Sequence, residues 1–84
     1  MKTIYRKKDK DTLFCGISNG TEQITFCISE QIMTGSDVSF EELEDGYEDS
    51  TKQEWMYQFN ACNISPTALE KLSNSFFLMR LMMG

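Results

Sequence analysis

Between Asp37 and Glu54 the chain carries Asp37, Glu41, Glu42, Glu44, Asp45, Glu48, Asp49 and Glu54 against one base, Lys52. Carboxylates at this density can do three kinds of chemistry. Paired, they can exchange protons with a substrate, provided an apolar pocket raises the pKa of one of them. Spaced with Asn and Gly, they can hold a hard cation. Left in solvent, they present negative charge that a basic protein surface reads much as it reads a phosphate backbone. The spacing disfavours the first two. Val38, Phe40 and Leu43 interrupt any EF-hand ligand pattern across Asp37 to Glu48, and no neighbouring segment builds an apolar pocket around a carboxylate pair. The third chemistry remains, with Asp37, Glu41, Glu42, Glu44, Asp45, Glu48 and Asp49 as the partner-binding residues. Its bland alternative is a solvated face that only keeps the chain soluble.

Other reactive groups are sparse. The chain has no histidine, which removes the commonest general base and metal ligand and makes Ser-His and Cys-His dyads impossible within it. Cys15, Cys27 and Cys62 lie twelve and thirty-five residues apart, with no C-x-x-C pair to build a zinc site. No Gly-rich phosphate loop is present; Gly16 and Gly20 belong to a hairpin. The expectation is therefore no catalytic residue, no metal, no cofactor and no enzymatic activity.

The elements that must position the acids follow from patterning. Leu13 to Ser18 and Glu22 to Ser29 flank Asn19-Gly20, the strongest short hairpin cue. A two-residue turn would pair Ser18 with Thr21, Ile17 with Glu22, Cys15 with Ile24 and Leu13 with Phe26. Leu13, Cys15, Ile17, Ile24, Phe26 and Ile28 then share one face, and Phe14, Gly16, Gln23, Thr25 and Cys27 the other. Cys15 and Cys27 point apart and cannot bridge, so three free thiols are expected. Thr3 to Lys8 reads as a further strand, with Ile4 beside Cys15 and Tyr5 beside Phe14. Its lysines suit a solvated edge that resists aggregation.

Gln31 to Asp37 reads as a loop. Ser39 with Glu42 forms a capping box, with Val38 stapling to Leu43, and the helix they start ends at Gly46. Glu44 and Asp45 would lie near the wrong end of its dipole, solvated and dispensable for folding. Lys52 to Cys62 is ambiguous: Trp55, Met56, Phe59 and Cys62 fit a helical stripe and Thr51 with Glu54 forms a second capping box, but the alternation of Trp55, Tyr57 and Phe59 favours a strand of core aromatics. Ser65-Pro66 opens a last helix whose buried stripe would be Leu69, Leu72, Phe76, Met79 and Met83. The fold class is α+β: a small antiparallel sheet built on the Asn19-Gly20 hairpin, with a short acidic helix and a C-terminal helix packed on one face, in a single domain.

Charge and length narrow the function. An 84-residue chain buries only about 60% of its unfolded surface. Its formal net charge of -5 argues against direct contact with nucleic acid or an anionic membrane and for a basic protein partner, itself of the nucleic-acid-binding kind. Met1 to Lys10 holds five bases and no apolar stretch, so no secretory signal is read there and a cytoplasmic location is expected. In type, though through no residue motif, the chain resembles small acidic inhibitors of CRISPR and restriction systems encoded by phages and mobile elements, some of which present carboxylates where their target expects phosphates. That resemblance implies action in the host-cell cytoplasm. The alternative is a structural protein, a homodimer joined through the surplus apolar residues Phe77, Leu78, Leu81 and Met82 of the last helix.

Overall fold

Alternating apolar residues in the first half of the chain make four successive strands, seen in a computed structural model that describes residues 2–74. β1 (Lys2–Asp9), β2 (Thr12–Ser18), β3 (Gln23–Ser29) and β4 (Ile32–Gly35) form an antiparallel meander. Helix α1 (Phe40–Gly46), the two-residue strand β5 (Glu48–Asp49), helix α2 (Lys52–Phe59), the two-residue strand β6 (Asn63–Ile64) and helix α3 (Pro66–Asn74) follow. β5 pairs antiparallel with β1 at one edge and β6 parallel with β4 at the other, giving the order β5-β1-β2-β3-β4-β6. The class is the α+β one that the pattern implied.

Both faces of the sheet are covered. Leu13, Cys15, Ile17, Phe26, Ile28 and Met33 pack with Trp55 of α2 and Ala68 of α3. Ile4 and Phe14 pack on the opposite face with Phe40 and Leu43 of α1, flanked by Val38, Cys27 and Tyr47. The acidic helix and the last helix therefore lie on opposite faces, not together. The reason is Phe14, which with Ile4 gives the second face enough apolar surface to hold a helix of its own.

Three strand expectations are corrected. The β2–β3 hairpin is in register Ser18↔Gln23, Ile17↔Ile24, Cys15↔Phe26 and Leu13↔Ile28, two residues from the pairing expected of a two-residue turn. The Asn19 carboxamide oxygen accepts from the backbone of Thr21 (3.0 Å) and Glu22 (2.8 Å), so the turn takes in four residues, with Gly20 at φ 99°. A shift of two preserves every facing, and Cys15 and Cys27 do point to opposite faces; all three cysteines are free. β1 is shifted by one residue, with Ile4↔Gly16, Tyr5↔Cys15 and Arg6↔Phe14. This puts Lys2, Ile4 and Arg6 on the face that α1 covers. Residues 32–35, expected in a loop, form β4, reached through a two-residue turn in which Glu30 (φ 53°) and Gln31 (φ 63°) take the left-handed conformation without a Gly or Asn to signal it.

The helices are as their caps specify. The Ser39 hydroxyl accepts from the Glu42 amide at 3.1 Å. Thr51 accepts from Glu54 at 3.1 Å, and Lys52–Phe59 is a helix rather than the expected strand. Trp55 is buried and Phe59 packs against the same core, while Tyr57 is 76% exposed and is not a core aromatic. Ser65 caps α3 through the Ala68 amide. Ala68 and Leu72 face the core, whereas Leu69, expected in the buried stripe, is 53% exposed. Phe76, Met79 and Met83, the rest of that stripe, lie outside the described residues, as do Phe77, Leu78, Leu81 and Met82.

Candidate acidic docking surface

α1 is a short helix fixed on its inner side and acidic on its outer side. Leu43 is fully buried and Phe40 nearly so. Phe40 approaches β2 at Gly16, where an added Cβ would lie 3.0 Å from the Phe40 ring and 3.2 Å from Ile4. The chain leading into α1 is also held. Thr25 donates its hydroxyl to the Val38 carbonyl at 2.6 Å, and Lys71 of α3 lays its stem across Gly35 to donate to the Ser36 carbonyl at 2.5 Å.

The seven acids named from the sequence do not form one uniform surface. Glu41, Glu42 and Asp45 are exposed and line a single shallow depression with Ser39, Gly46 and Tyr47. The Tyr47 ring packs edge-on against Phe14 with centroids 5.1 Å apart. Asp37 lines separate hollows nearer to Lys71. Glu48 is exposed on β5 opposite Lys7. Glu44 and Asp49 are engaged within the chain. Glu44 is partly buried and forms an ion pair with Lys2, which corrects the expectation that it is simply solvated. Asp49 pairs with the Arg6 guanidinium at 3.0 Å.

Arg6 and Lys2 are the residues the sequence reading missed. It placed the basic N-terminal strand at a solvated edge. The Arg6 side chain is only 15% exposed, and its Nε donates to the carbonyl of Leu43 in α1 at 3.0 Å. The available signal was the opposite charge of the two segments: a basic strand and an acidic stretch that can lie side by side pair across the sheet edge. A cation at this carbonyl also favours the negative end of the helix dipole, next to Glu44 and Asp45.

Two of the three thiols are shifted by burial. Burial pushes the Cys15 thiol up to about 12. Burial also raises Cys27, against a smaller lowering by Lys8. Among the described residues no group of three or more Cys, Asp or Glu is placed to hold a metal ion, and no helix is long and apolar enough to cross a membrane. No protein-family model, curated protein or solved structure matches the chain.

Proposed function

We propose that the protein is a non-catalytic binding module whose acidic surface, on α1 and continuing to β5, docks on the basic surface of a partner protein of the nucleic-acid-binding kind. The observation that carries this reading is the division of the acids. Glu44 and Asp49 are matched by bases of the same chain, while Glu41, Glu42 and Asp45 stand exposed around one depression and take part in no ion pair among the described residues. They stand on a helix anchored by Phe40 and Leu43. A preformed surface loses little conformational freedom on binding. Carboxylates fixed in this way stand where such a partner expects phosphates, the strategy of small phage-type inhibitors of CRISPR and restriction systems, acting in the host-cell cytoplasm.

The test is capture from a host-cell extract with the native chain as bait, run beside Glu41→Gln/Glu42→Gln/Asp45→Asn. A basic protein retained by the native chain, released by moderate salt and absent from the triple variant supports the reading. Capture that survives the triple substitution sinks it.

A further inference from the structure

We infer that Arg6 is the positioning residue of the acidic surface: its guanidinium ties the C-terminal turn of α1 and the strand β5 to β1, and so sets where the docking carboxylates stand. This inference rests on the docking reading for its consequence, though not for its geometry.

Two hydrogen bonds and one ion pair, each at 3.0 Å, meet on Arg6. Nε donates to the Leu43 carbonyl of α1, Nη1 donates to the Tyr5 carbonyl of its own strand, and Nη1 pairs with Asp49 of β5. The planar fork meets acceptors on separate elements at once, which the single ammonium of a lysine cannot reproduce. β5 is a short strand: it is two residues long, both exposed, it pairs with β1 only at Arg6↔Asp49 and Lys7↔Glu48, and its neighbour Ser50 adds one backbone bond to Tyr5 at 3.0 Å. Asp45 and Glu48 flank the join between α1 and β5, so their separation depends on this clamp. The core beneath α1 does not, because Phe40 and Leu43 are seated on Ile4, Phe14 and Gly16.

Two readouts separate positioning from general support of the fold. The first is amide hydrogen exchange. In Arg6→Gln, exchange across residues 43–50 should rise about tenfold or more, as loss of a charge-assisted hydrogen bond implies, while β2 and β3 keep their protection. Arg6→Lys should not restore it. The second is binding of a lysine-rich peptide at low salt. Arg6→Gln takes the formal net charge from -5 to -6, so net charge alone would tighten binding of a cationic probe. Loss of position predicts severalfold weaker binding instead. Unchanged exchange at residues 43–50, an equal rise in β2 and β3, restoration by Arg6→Lys, or tighter peptide binding would each overturn the inference. If the native chain fails to bind the peptide, the docking reading falls, and the exchange measurement still decides whether Arg6 is the clamp.

Discussion

Gly16 decides whether the acidic helix can sit where it does. Its missing side chain lets the Phe40 ring come within 3.0 Å of where a Cβ would be. Gly16→Ala should therefore destabilise by about 1 to 3 kcal/mol, the usual cost of overpacking a filled core, and chemical denaturation would measure it. The near-UV signal of Tyr47, which packs on Phe14 under the same helix, should change with it; a stability equal to the native chain's would mean that Phe40 is not held against β2. Cys15 makes a prediction of a different kind. Its thiol is raised by burial from an ordinary 9.0 to about 12, so the folded state holds a proton that the unfolded state loses first. Stability from this residue is complete below about pH 9 and declines as pH rises towards 12, with a limiting slope of about 1.4 kcal/mol per pH unit. Tyr5, also raised by burial, acts in the same direction. Denaturation midpoints between pH 8 and 11 should fall in the native chain and fall less steeply in Cys15→Val; parallel curves would contradict the assignment.

The elements divide by the kind of signal that marks them. Ser39, Thr51 and Ser65 are side-chain caps, and a hydroxyl that accepts the N3 amide leaves a local trace, so the starts of α1 and α3 were legible, while the Thr51 cap was outweighed by the aromatic alternation that followed it. What α2 buries was less so. Trp55, Tyr57 and Phe59 satisfy a two-residue period, but Trp55 and Phe59 are also four apart, and on a helix only that pair faces the core. The face of β1 was not legible at all. Ile4 and Tyr5 point to opposite faces, each with apolar neighbours, and no alternation of apolar residues decides between them. Space does: Gly16 opposite Ile4 makes room for Phe40. The turn into β4 was hidden because Glu30 and Gln31 are unusual at positive φ. Replacing them by Asn-Gly, the residues such a turn favours, should stabilise the protein by about 1 kcal/mol. A thermal melt checks this, and no gain would mean that the left-handed pair carries little strain.

At the scale of the whole molecule, two short segments from the second half of the chain flank the four-stranded meander. β5 and β6 are each two residues long, and such short outer strands leave little open edge for another chain to extend. The described part of the molecule therefore offers a partner charge more readily than strand pairing. The location of that charge was legible, because a run of acids at this density cannot be buried. Its division was not: which acids are matched depends on the β1 register, which sends Lys2 to Glu44 and Arg6 to Asp49. The central claim is that Glu41, Glu42 and Asp45, which take part in no ion pair among the described residues, make the contact. It is tested most directly by the association rate of the captured partner at two salt concentrations, for the native chain, for Glu41→Gln/Glu42→Gln/Asp45→Asn and for Glu44→Gln. Exposed charges steer encounter and are screened over about 8 Å at physiological ionic strength. The account predicts a native rate that drops about tenfold or more between low and high salt, a triple variant that is slow and nearly indifferent to salt, and Glu44→Gln close to native. Equal rates and equal salt dependence for the native chain and the triple variant would contradict it.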